Sequence, residues 1–346
     1  MNHPTARSQS LRRRTRPALA GTAAGLAALL TACGSPAPAD SGKPAAAVAD
    51  AGNRTTYPAQ AKNCGRTVTV DHAPERIVSF FPSNTELLLE LGLKDRIAGQ
   101  TWTNQSPPKP AYADAYKSLK VLAPGEISRE ALLAARPDFI LADGEYQFDG
   151  TKLPTIGELA KLGVPVYIDS AFCPQTTGTA TLDATTADLT ALGTLLDAKA
   201  PAQKAATALR ERLAAVDKTV DARTATPVAM VQIVDKQLYA LSGGLYTDIL
   251  RRAGGNDLLT ATVPAGSNFG PYSAEDLAKK DPDVLVYNYT GEEDRAASEA
   301  WLRSHLGATK AVVNHRLVAV PAADFSELRA VDGTVALAKA LHPDAS

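Results

Sequence analysis

Reactive side chains are sparse in this 346-residue chain, and their spacing limits the chemistry open to it. Beyond the N-terminal region the histidines are His72, His305, His315 and His342. No two stand at the spacing that puts a pair of imidazoles on one helix face. A histidine-built site for free Zn2+ or Mn2+ is therefore not expected, and no metal ligands are assigned. There is no G-x-S-x-G turn to expose a nucleophilic serine, no H-E-x-x-H helix and no phosphate-cradling G-x-x-x-x-G-K-[ST] loop. A scattered serine–histidine–carboxylate triad is recognised by geometry alone, so a secreted hydrolase stays open as the rival class. What the chain does offer is three cysteines, Cys33, Cys64 and Cys173, and aromatic residues placed beside acids in predicted loops.

The cysteines divide by position. Arg7, Arg12, Arg13, Arg14 and Arg16 precede an apolar run from Ala18 to Leu30, and residues 1–32 contain no acid. About thirteen apolar residues are too few to span a ~30 Å hydrocarbon core but suit a cleavable export signal. The run closes on Leu30-Thr31-Ala32-Cys33-Gly34, which resembles the lipobox of bacterial lipoproteins, with Cys33 as the lipidated residue. An ordinary secretory signal with an incidental cysteine is the alternative. The arginines also suit twin-arginine export, although Arg16 and Pro17 stand where that motif takes apolar residues. Residues 33–62, rich in Pro, Ala, Gly, Ser and Asp and without hydrophobic periodicity, read as a lipid-anchored tether. A diacylated cysteine gives stable anchoring, so the expected location is the outer face of the cytoplasmic membrane. In such an oxidising compartment Cys64 and Cys173 are a disulfide candidate, with two buried thiols as the alternative. The bridge would close a 109-residue loop, worth roughly 4–5 kcal/mol in the chain-entropy model.

Charge supports the division. The net charge of −1 combines five N-terminal arginines with a remainder holding 31 basic and 37 acidic residues, about −6. With 45% hydrophobic residues the chain is too apolar for a disordered protein, and it is not basic enough for nucleic-acid binding. The length fits about two domains.

The elements that must position any site alternate between strand and helix. Arg76–Pro82, Asp138–Asp143, Val164–Asp169, Val228–Val234, Asp283–Tyr289 and Leu317–Pro321 read as short buried strands, with helices such as Thr85–Leu91 and Ile156–Leu162 between them. This predicts an α/β fold with mainly parallel sheets. The pattern also repeats. Ser128-Arg129-Glu130-Ala131-Leu132 leads to Pro137-Asp138, and Ser273-Ala274-Glu275-Asp276-Leu277 leads to Pro282-Asp283 at the same spacing. In each, Ser caps a helix, Glu favours its positive first turn and Pro forbids continuation. Upstream, Thr85-Glu86-Leu87-Leu88 reaches Gly92 as Thr247-Asp248-Ile249-Leu250 reaches Gly254. Two pairs in the same order predict two similar lobes, residues 63–198 and 225–346. Between them, residues 199–224 carry Leu209, Leu213, Val216 and Val220 on one stripe, a helix about 33 Å long over Pro201 to Ala222. It is expected to be a stiff strut, with an ordinary helix packed inside one domain as the alternative.

These features together resemble the substrate-binding lipoproteins of ATP-driven importers for iron–siderophores, haem and cobalamin. Ala73-Pro74-Glu75-Arg76-Ile77-Val78, the Thr85-Glu86-Leu87-Leu88 and Leu91-Gly92-Leu93 segments, and Ala253-Gly254-Gly255-Asn256 carry the resemblance, which spans residues 66–342. It implies two Rossmann-like lobes with a ligand cleft between them, and a binding protein rather than an enzyme, without a cofactor of its own. It implies a monomer whose partners are an ABC permease with its ATPase, a large metal-chelate ligand and the membrane, but no nucleic acid. A carboxylate on top of each lobe, here Glu86 and Asp248, is expected to dock on permease arginines. Asp248 departs from the family's glutamate by one methylene.

On this reading, loops at the strand ends form the cleft. Candidate walls are Phe80, Phe81, Pro82, Trp102, Asp143, Glu145, Tyr146 and Phe148 from the first lobe. The second lobe offers Tyr239, Phe269, Tyr272, Asn288, Tyr289 and Phe325. Exposed aromatics suit a large, partly apolar ligand. A tris-catecholate ferric complex is strongly anionic and would call for several arginines or lysines. These loops hold Asp143 and Glu145, with Lys236 one of few bases nearby. That favours a neutral or cationic ferric hydroxamate, with a corrinoid or haem as alternatives.

Overall fold

The fold is described from a computed structural model covering residues 53–220, 223–260 and 262–343. Cys33, the export signal and most of the tether lie outside the described residues. The tether expectation needs one correction at its C-terminal end. Thr55 and Tyr57 already tie down the chain, with Thr55 Oγ1 donating to the Thr194 carbonyl at 2.8 Å and Tyr57 Oη to that of Leu195 at 3.0 Å. The chain then enters a hairpin of β1 (Ala59–Asn63) and β2 (Arg66–Val70). The folded body thus begins before residue 63, because alternating burial in β1 escapes a search for longer periodic runs.

The first lobe is a five-stranded parallel sheet. β3 (Ile77–Phe80), β4 (Ile97–Thr101), β5 (Val121–Ala123), β6 (Phe139–Ala142) and β7 (Val166–Ile168) pair in the order β5-β4-β3-β6-β7. β3 and β6 are buried at every position, as strands covered on both faces must be. The hairpin docks on the free edge of β7. Asn63 Nδ2 donates to the Ile168 carbonyl at 2.7 Å and its Oδ1 accepts from the Ile168 amide at 2.8 Å, so one side chain imitates a strand neighbour.

The second lobe has β8 (Thr226–Val234), β9 (Gln237–Leu241), β10 (Gly255–Asp257), β11 (Phe269–Pro271), β12 (Val284–Tyr289) and β13 (Leu317–Pro321). β8, β12 and β13 are parallel, while β9 and β11 add an antiparallel edge. The repeat is visible in the helices. Ser128 Oγ accepts from the Ala131 amide at the start of Arg129–Ala134, and Ser273 Oγ from the Asp276 amide at the start of Ala274–Lys280. Pro137-Asp138 then opens β6, and Pro282-Asp283 opens β12.

A 22-residue helix, Lys199–Val220, links the lobes. It buries Leu209, Leu213 and Val216 with Ala202, Ala205 and Ala206. It does not bridge open solvent. One continuous hydrophobic core takes in these residues together with Leu87 and Leu88 of the first lobe and Val228, Leu245 and Val331 of the second. Each lobe also has its own outer core on the far side of its sheet. The helix is therefore a strut set into a shared core. Among the described residues, no helix is long and apolar enough to cross a membrane.

Candidate ligand-binding cleft

Both lobes and the segment that follows β7 line one cavity of about 380 Å³. Phe81, Asp143, Glu145 and Tyr146 come from the ends of β3 and β6. Phe172, Pro174 and Thr177 come from the segment after β7. Tyr246, Asn268, Phe269, Phe325 and Ser326 come from the second lobe. Tyr239 stacks on Phe269, with ring centroids 4.6 Å apart and planes at 5°. Tyr246 meets Phe325 edge to face at 5.7 Å and Phe172 at 6.3 Å. Such a set of apolar and hydroxyl-bearing rings suits a bulky, partly apolar guest.

Phe81 reaches the cavity through an unusual backbone. Its φ of +82° with ψ 143° is a region glycine prefers, and it sits five residues before Glu86. Gly243 stands five residues before Asp248 in nearly the same conformation, φ +90° and ψ 156°. One lobe thus spends glycine where the other carries an aromatic ring, at a cost of roughly 1–3 kcal/mol.

Electrostatics at the wall are acidic and internally compensated. Tyr146 Oη and Gln147 Nε2 donate to Asp143 at 2.9 and 2.8 Å, and Trp102 Nε1 donates to Gln147 at 2.9 Å. Burial pushes the Asp143 carboxyl up to about 6, with the bonds from Tyr146 and Gln147 opposing the rise. Burial also raises the Tyr146 phenol, and Asp143 adds to the rise; the ring nonetheless stands 66% exposed at the cleft mouth. Glu145 pairs with Arg66 at 2.8 Å. No lysine or arginine is among the described lining residues.

Several expected wall residues lie elsewhere. Phe80 and Phe148 are buried in the first lobe's outer core, with ring centroids 5.6 Å apart. β3 is covered on both faces, and the 3-10 turn Glu145–Gln147 folds Phe148 back inward. Trp102 lines a neighbouring depression with Tyr146 rather than the main cavity. Tyr272 packs on the second lobe's outer core, Tyr289 lies under Arg295, and Asn288 is buried in β12. Pro82 opens the helix Pro82–Glu90, and Lys236 sits exposed in the β8–β9 turn. Phe172, Tyr246 and Ser326 line the cavity without carrying a motif of their own in the sequence. Tyr246 lies one residue before the Thr247-Asp248 motif, and Phe172 one residue before Cys173, so each adjoins a signal visible in the sequence. Cys64 and Cys173 are joined in a disulfide that ties the β1–β2 turn to this wall segment.

The two carboxylates expected on top of the lobes are instead enclosed. Glu86 is fully buried, accepts from the Lys109 amide at 2.8 Å and lies 3.6 Å from Arg329 Nε. Burial raises its carboxyl, and Arg329 most strongly opposes the rise. Asp248 accepts from the Leu182 amide at 2.9 Å and pairs with Arg251 at 2.5 Å and Arg252 at 3.3 Å. Each accepts a hydrogen bond from the backbone amide of a segment distant in sequence, at matching positions in the two lobes.

Comparison with known proteins fits this architecture. A cobalamin-binding protein of Halobacterium salinarum is 24% identical to this chain, over 92% of this chain and 83% of its own length. A periplasmic binding protein from Veillonella parvula superposes with a TM-score of 0.72 at 22% identity, covering 82% of this chain and 97% of its own. A structure described as an ABC-type Fe3+-hydroxamate transport system, from Saccharomonospora viridis, gives 0.69 at 24% identity over 82% and 99%. Two of these three are described as binding proteins. Residues 77–323, which span the sheets of both lobes and the helix that joins them, match the family described as periplasmic binding protein, and the chain belongs to that family.

Proposed function

We propose that this chain is the lipid-anchored receptor of an ABC importer, capturing a ferric siderophore of the hydroxamate type and handing it to the permease without bond-breaking chemistry. The observation that carries the ligand class is the cleft wall. It is aromatic, its acids are paired or hydrogen-bonded, and its described lining contains no cation to hold a strongly anionic catecholate complex. A corrinoid is the second reading, favoured by the cobalamin-binding relative. The permease and its ATPase are the partners, the protein acts as a monomer, and Cys33 holds it on the outer face of the membrane. Replacement Cys33→Ser should shift the protein from the membrane fraction to the soluble one; retention in the membrane would refute the anchor.

Ligand identity is tested by thermal-shift titration of the mature protein with a ferric hydroxamate, a ferric catecholate, haem and cobalamin. A ligand at 100 times its dissociation constant stabilises the fold by about 2.7 kcal/mol. The expected pattern is a shift with ferric hydroxamate and none with the catecholate. A shift with cobalamin alone would replace the siderophore by the corrinoid, and no shift with any of the four would overturn the receptor reading.

A further inference from the structure

Behind the cleft floor three carboxylates meet at the junction of the lobes. Asp169 follows β7, Asp188 lies on the helix Asp183–Leu195, and Glu327 is the first residue of the C-terminal helix Glu327–Leu341. Each is about 1% exposed, and one carboxylate oxygen from each lies within 4.8 Å of the others. Asp188 is well supplied with donors: Tyr167 Oη and Ser170 Oγ at 2.5 Å and the Ser170 amide at 2.8 Å. Asp169 Oδ1 accepts from the Ala171 amide at 3.0 Å. Among the described residues, nothing donates to Asp169 Oδ2 or to either oxygen of Glu327, although all three are buried.

Among the described residues, the groups facing the trio offer no positive charge. They are Tyr167 from β7, Tyr246 from the helix Gly244–Arg252, and Asp143 from the end of β6. Three full negative charges within this distance in an enclosed site are not sustainable, and one proton between facing oxygens removes both the repulsion and the unmet acceptors. We propose that Asp169 and Glu327 share one proton, forming a carboxyl–carboxylate joint that closes the lobe junction beneath the cleft and weakens as the pH rises. Burial and the neighbouring carboxylates hold both groups well above the usual carboxylate range, in agreement with this. The joint is next to the cleft floor. Ser326, one residue before Glu327, lines the cavity and meets Ser83 of the first lobe, Oγ to Oγ, at 2.8 Å.

The sign follows from proton counting. In the unfolded chain both acids are ionised above about pH 5, whereas the folded protein keeps one proton. Unfolding therefore releases that proton. The unfolding constant rises by up to about tenfold per pH unit, until the joint itself ionises. Glu327→Gln supplies a permanent amide donor to Asp169 where the proton stood, and Asp169→Asn does the same from the other side. The test is urea unfolding of the mature protein and both variants from pH 5 to 9 in the presence of a chelator. The parent should lose stability relative to each variant as pH rises, and the doubly substituted protein should gain nothing beyond either single one. Parallel profiles for parent and variants would overturn the proposal. So would stabilisation of the parent by added Ca2+ or Mg2+ that Glu327→Gln abolishes, since the trio would then hold a cation. If one substitution prevents folding, the other decides alone.

Discussion

Glu86 and Arg329 are almost wholly withdrawn from water and meet across the lobe junction. Arg329 also lies 2.9 Å from Asp324 and donates to Ser106 Oγ and the Pro107 carbonyl at 3.2 and 3.4 Å. The network runs outward through Lys109 and Asp332 to Arg212 on the linking helix, so it touches both lobes and the strut. Breaking a buried pair from one side leaves the other charge uncompensated, which typically costs 3–5 kcal/mol. Asp324 stays beside Arg329 and softens that loss. Glu86→Ala should therefore destabilise by about 3 kcal/mol, at the low end of the range. Glu86→Gln should cost less, because it keeps an acceptor for the Lys109 amide. Urea midpoints measure both. An alanine variant as stable as the parent would show that Glu86 has no structural task.

At the scale of elements, the parts legible in the sequence are those whose signals are local. A serine followed three residues on by an amide it can cap, and a proline that stops the helix before a strand, are readable without knowing the fold. The paired starts at Ser128 and Ser273 duly cap helices, and β6 and β12 follow at the same remove. The elements that escaped are set by packing. β4 contains Gly99, which reads as a turn signal. A side chain there would meet Leu122 Cγ at 2.5 Å, so glycine lets the Leu122 side chain approach closely inside a strand. β11 is Phe-Gly-Pro, tolerable only at an edge. The same reasoning separates Phe80 from Phe81. Period-two alternation assigns no outside to a strand buried on both faces, and only the positive φ at Phe81 turns its ring to the cleft. The matching glycine at Gly243 was readable, but its conformation was not.

At the scale of the molecule, the question is whether two lobes mean two folding units. Each lobe has an outer core of its own, yet the largest cluster is common to both and contains the linking helix. A lobe that unfolded alone would expose its half of this core, so the lobes should unfold together. The two tryptophans allow a direct reading. Trp102 packs on the outer core of the first lobe and Trp301 on that of the second. Variants Trp102→Phe and Trp301→Phe each leave one reporter, and their fluorescence should give transitions that coincide with the backbone signal of the same variant. Leu209→Ala removes a buried side chain at the centre of the shared core, for an expected loss of about 2–5 kcal/mol. Introduced into either single-tryptophan protein, it should lower both midpoints by the same amount. A fall confined to one reporter, or two separated transitions, would mean that the lobes are thermodynamically independent. The helix would then be a tether, and closure around a ligand would be free to be large. A joint fall places the cost of any lobe movement in the shared core, and confines closure to the small adjustments that the core and the Glu86–Arg329 network permit.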